Sequence, residues 1–155
     1  MQALRLVALV LIGVAWLYFE SVEVAERSSS GPSSTQQVPA GSTEDGARVL
    51  EEAFANQTSD LIVTVDARVS RVLPDDRKGS QHQRFLLEFP SGLTVLVAHN
   101  IDLAPRVPDL AVGDRVIVKG EYEWNEKGGV IHWTHHDPRG RHEDGWVEYR
   151  GRRYG

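Results

Sequence analysis

The stretch "IHWTHHDPRGRHEDGW", residues 131–146, gathers four of the chain's six histidines, two of its four tryptophans and three carboxylates. Imidazole nitrogens and carboxylate oxygens are the donors of divalent-metal sites and of acid–base pairs. On an extended strand side chains alternate faces. His132, Thr134 and His136 then share one side, and Ile131, Trp133 and His135 the other. Strand residues four apart are separated by ~13 Å, so His132 and His136 reach one ion only if the strand bends. His135 and Asp137 are ~7 Å apart on one face, close enough to chelate. Pro138 holds Asp137 extended, and the turn at Pro-Arg-Gly can return His142 or Asp144 toward them. The metal set expected on this ground is His135, Asp137 and His142, an N/O set suited to zinc or a similar divalent ion. His136, or His82 and His99 from other strands, would complete it. The spacing matches no metal signature of the His-Glu-x-x-His kind.

Two other chemistries compete for the same residues. In a metal-free hydrolase one histidine is the general base and Asp137 orients it, but no Ser or Thr sits in a recognisable nucleophile turn, and Thr134 is on a strand. In a structural clasp, Trp133 and Trp146 pack across the mouth of a small β domain, Asp137 accepts turn N–H groups, and the histidines bond to backbone or water. Any ligand then meets Trp133, Trp146, His99, His132 and His136. Phe85, Phe89, Tyr122 and Trp124 would suit a stacking face for single-stranded nucleic acid or sugar, although alternating aromatics are commonly core. Residues 60–155 carry 14 Lys/Arg against 15 Asp/Glu, a net of −1. Nucleic acid is not an expected partner of so neutral a domain.

The elements that must hold these residues are mostly strands. "EDGARVLEEAFANQTSD" (44–60) has Val49, Leu50, Ala53 and Phe54 at helical spacing, with Thr43 or Asp45 as a cap and a role in covering one end of the domain. Strands are expected at 61–73, 82–89, 93–98, 115–124 and 130–136, and a small hairpin over 146–154 turning at Arg150–Gly151. The first sets Val63, Val65 and Ala67 against Ile62, Thr64 and Asp66. Pro105 and Pro108 bar regular structure from the connection at 99–114, and Gly120 reads as a bulge or bend. A three-strand meander, a long connection and a hairpin are the order of a five-stranded OB-like barrel.

The segments "VAHNIDLAPRVPDL..GD", "GEYEWNEKGGVIHWTHHDPRGRHEDGW" and "GRRY" resemble an uncharacterised family of bacterial exported proteins, a domain of unknown function, over roughly 44–155. The resemblance implies one small exported domain and assigns no catalytic residue.

The chain's N-terminus fits export. Leu6 to Phe19 is a run of 14 apolar residues, and counting from Ala3 gives 17. With Arg5 snorkelling, residues 3–19 can span a membrane. Arg5 before the run and Glu20, Glu23 and Glu26 after it place the N-terminus in the cytoplasm. Cleavage as a signal peptide is the alternative, and the small-residue rule is poorly met. Residues 27–43 are a Ser/Gly/Pro/Gln tether. The expected organisation is an anchor at 1–26, a linker at 27–43 and an OB-like domain at 44–155, in the bacterial inner membrane with the domain in the periplasm. The chain has no cysteine, which excludes disulfides, thiolate sites and thiol catalysis. The expected function is a binding or interaction module of unknown ligand, small molecule or protein. The alternative is a metal-dependent hydrolase or nuclease using the cluster from His132 to Asp144.

Overall fold

In the computed structural model, residues 43–155 are described. The expected anchor and all but the last residue of the expected tether lie outside them. Among the described residues no helix is long and apolar enough to cross a membrane.

The domain is mostly strand with one short helix, α1 (Thr43–Ala55). Five strands follow: β1 (Leu61–Asp76), β2 (His82–Glu88), β3 (Thr94–Asn100), β4 (Arg115–Glu123) and β5 (Val130–His132). They pair in the order β1-β2-β3-β5-β4, and β4 pairs back to β1, closing a ring. Every pairing in the ring is antiparallel except β3–β5, a short parallel seam of Leu96 with Val130 and Val97 with Ile131. A hairpin of β6 (Trp146–Tyr149) and β7 (Arg152–Tyr154) continues from β4. It turns at Arg150 and Gly151, both at positive φ, the backbone of a tight two-residue hairpin.

Period-two alternation builds the interior. Val63, Val65, Ala67 and Val69 of β1, Phe85 and Leu87 of β2, Val95 and Val97 of β3, and Val116, Val118 and Tyr122 of β4 are all buried. Leu50 and Ala53 of α1 join them and close one end. The indole N–H of Trp124 donates to the Phe54 carbonyl at the helix end. Val49, expected on the buried face, is 37% exposed. Thr43 and Asp45 lie inside the helix rather than ahead of it as caps. Phe85 and Tyr122 are fully buried and Phe89 nearly so. They form core, and no exposed stacking face is built from them.

The other end of the ring is closed by the connection 101–114, held by two buried polar residues. Gln83 and His99 are cross-strand partners facing inward. The Gln83 amide bonds both the carbonyl and the N–H of Val107. His99 bonds the carbonyl of Pro105.

Three strand ends differ from expectation by two residues or more. β1 runs on to Asp76, because Arg84 donates twice to the Pro74 carbonyl and Asp76 pairs with His82. β3 runs to Asn100, so His99 lies inside a strand and does not start a turn. β5 stops at His132, four residues before the expected end. Trp133 takes φ +51°, a left-handed conformation that costs a bulky residue about 1–2 kcal/mol. Alternation ends there, so Thr134 and His135 are both buried and His136 is exposed.

Gly120 is not a bulge. Its register with Val63 of β1 is regular. The opposite edge of β4 changes partner at this point, from β5 over Glu121–Glu123 to β6 over Val116–Lys119. The segment 133–145 leaves and returns through that gap. A Cβ on Gly120 would lie 2.3 Å from the His132 carbonyl oxygen, and one on Gly145 2.1 Å from that of Trp133. Two glycines thus admit the tip to the sheet edge.

Candidate functional site

The tip 133–145 is folded around two carboxylates. Asp137 is 5% exposed. Its Oδ1 accepts the Arg139 N–H at 2.9 Å and its Oδ2 the Arg141 N–H at 2.6 Å, an Asp side chain closing its own turn. Those amides, Arg139 first, hold the Asp137 carboxyl at about 2, below the ordinary 3.8. Asp144 returns to the other side of the loop. Its Oδ1 accepts the Asp137 N–H at 2.9 Å, and its Oδ2 accepts the His136 Nδ1–H at 2.8 Å. The Asp137 amide, then His136, lower its pKa. Lys119 of β4 pairs with Glu143, and the Gly145 N–H donates to the His135 carbonyl.

The imidazoles have fixed directions. A carbonyl can only accept, so His135 Nδ1 donates to the His136 carbonyl at 2.7 Å and His142 Nδ1 to that of Glu143 at 2.8 Å. His99 is wholly buried. Its Nε2 donates to the Pro105 carbonyl at 3.1 Å, which leaves Nδ1 to accept the Thr134 hydroxyl at 2.8 Å. Burial pushes the His99 pKa below the ordinary 6.5 and favours this neutral form. Thr134 is therefore engaged inside the domain. His99 joins three segments: β3, the Pro105 loop and the tip.

Trp133, half-buried, is the hub of the rings. It stacks on His142 at 4.4 Å, meets His132 at 5.2 Å and His135 edge-on at 5.8 Å. Trp146 lies elsewhere, with the Arg153 guanidinium 3.9 Å over its ring. Among the described residues no ring contact joins the two indoles, and each belongs to its own cluster.

His135, Asp137 and His142 do come into one neighbourhood. The His135 and His142 rings are 5.0 Å apart, edge to face, and His142 Nε2 is 3.9 Å from Asp137 Oδ2. Both Asp137 oxygens already accept loop amides. Among the described residues, the group of three donors whose ligand atoms all lie within 4.8 Å of one another is a different one: Glu121, Glu123 and His132. Two imidazole nitrogens are shut off from solvent without a hydrogen-bond partner, Nε2 of His132 and Nε2 of His142.

Residues 33–155 match the family described as "Protein of unknown function (DUF3465)". The chain belongs to this family. The match begins within the stretch expected as a tether. A search of curated proteins finds no match to the chain. In this DUF3465 domain, sequence reasoning reached the tip and its histidines. It missed Gln83, whose parity with Phe85 and Leu87 was the available signal, and it missed Glu121, opposite His132, and Glu123, diagonal to it.

Proposed function

We propose that the domain is an OB-like barrel serving as a binding or interaction module, held in the periplasm by an inner-membrane anchor at residues 3–19 or released there by cleavage. The ring order β1-β2-β3-β5-β4 with a parallel β3–β5 closure supports the OB-like assignment, since that fold is a five-stranded Greek-key barrel. The apolar run and the charges around it support export.

The observation that carries the non-enzymatic reading is the engagement of the tip's polar groups. Both oxygens of Asp137 and of Asp144 hold the loop, and the Thr134 hydroxyl donates to His99. A general base or nucleophile must be free to reach a substrate. A ligand surface remains at half-exposed Trp133, flanked by His132 and His142. A near-neutral charge argues against nucleic acid as the ligand.

A metal-dependent hydrolase is the competing reading, favoured by the unpartnered Nε2 of His142 facing Asp137. Full-length protein in detergent, assayed on a phosphodiester and an ester chromogenic substrate with zinc or manganese present, is expected to show no turnover above metal in buffer. Turnover that disappears in His142→Ala would overturn the binding-module reading. Protease added to spheroplasts is expected to cut the domain, and full protection would remove the periplasmic placement.

A further inference from the structure

We infer that Glu121, Glu123 and His132 form a divalent-cation site on the outer face of the sheet, adjoining the tip where His132 meets Trp133. Glu121 and Glu123 are two apart on β4, so both side chains leave the same face. His132 is the direct cross-strand partner of Glu121, and Val130 that of Glu123. The imidazole therefore stands beside one carboxylate and diagonal to the other, the reach of a cross-strand cluster.

Three observations point to a cation. The donor atoms of all three residues lie within 4.8 Å of one another. An ion ~2.0–2.2 Å from each donor needs the set to close by less than about 1 Å. His132 Nε2 is shut off from solvent, makes no hydrogen bond, and lies 3.7 Å from Glu121 Oε1, beyond hydrogen-bond reach. Among the described residues neither glutamate pairs with a lysine or arginine: Lys119 is taken by Glu143, and His132 is the ionic neighbour of Glu121. Two half-buried carboxylates on one face repel each other, and an unpaired imidazole nitrogen beside them gains most from a bound ion.

One nitrogen and two carboxylate oxygens suit zinc or manganese better than the all-oxygen shells of calcium. Three protein donors leave a coordination position open. Lying on the outer face, that position would take an oxyanion such as a carboxylate or phosphate. The site stands on the strands themselves and does not rest on the binding-module reading.

Calorimetric titration of the tag-free full-length protein in detergent with zinc chloride tests it. One saturable equivalent is expected for the wild type, weakened at least tenfold in Glu121→Gln and in Glu123→Gln and unchanged in His142→Ala. Manganese added to the isotope-labelled wild type is expected to broaden the resonances of Glu121, Glu123 and His132 first, a readout that needs no variant to fold. No saturable zinc uptake at neutral pH, uptake that survives the Glu121→Gln/Glu123→Gln double variant, or broadening centred on residues 135–144 would each overturn the site.

Discussion

Gln83 and His99 face each other across β2 and β3 inside the ring, and both bond the same proline-rich loop. An interior polar pair of this kind is stable only while every group is satisfied. Through that loop the pair closes this end of the domain. It also ties the loop to the tip, since His99 reaches Thr134.

Replacing Gln83 by Leu removes the partner of both backbone groups of Val107. Each unsatisfied buried group costs about 1–3 kcal/mol. Denaturant unfolding is expected to show the loss, and hydrogen exchange a Val107 amide that is no longer protected.

Thr134→Val keeps the shape and deletes the hydroxyl that His99 Nδ1 accepts. The expected loss is about 1–3 kcal/mol, measured by denaturant unfolding. An unchanged midpoint would mean that the imidazole finds another donor.

His99 gives a pH dependence of definite sign. Its folded pKa lies below 6.5 because of burial, while the unfolded chain binds the proton at the ordinary value. This contribution to stability is complete above pH 6.5 and declines as pH falls through it. The thermal midpoint between pH 8 and 5 is expected to slope less in His99→Asn than in the wild type.

Asp137 acts in a lower window. Its carboxyl titrates at about 2 in the fold against an ordinary 3.8. The stability it contributes is present above about pH 4 and is lost as pH falls toward 2. Asp137→Asn is expected to flatten that acid limb of the midpoint profile. It should also release one of the Arg139 and Arg141 amides to exchange at neutral pH, since Asn keeps a single acceptor oxygen.

Gly120→Ala places a methyl against the His132 carbonyl oxygen and within 2.9 Å of the Ile131 and Thr134 side chains. Overpacking of this kind costs about 1–3 kcal/mol. Calorimetry is expected to show a lowered midpoint, and the largest amide shift changes should fall in β5 and the tip.

Alternation carried most of the fold into the sequence. The inner-face residues of β1 up to Val69, and those of β2 to β4, keep strict parity; a register shift beyond Val69 breaks it in the rest of β1, and Arg150–Gly151 marks its hairpin plainly. The end of β5 was not legible, because nothing in the identity of Trp133 announces a left-handed backbone. That conformation falls at the gap beside Gly120, where the chain leaves β4. The histidines of the tip were visible as a group, but the partners of each depend on how 133–145 folds back. Glu121 and Glu123 carried a usable signal. A hairpin centred on the Asn125–Gly129 loop sets residue 121 opposite 132 and 123 opposite 130, and extending that pairing from the loop would have joined both glutamates to His132.

The parallel seam between β3 and β5 is two residue pairs long, whereas β1 and β4 are paired over eight. A zipper yields at its shortest track. Parting this one opens the ring of strands into a ribbon with β3 at one border and β5 at the other. Because β5 bears His132 and leads into the tip, parting the seam frees from β3 the strand that carries the tip and leaves its pairing with β4 in place.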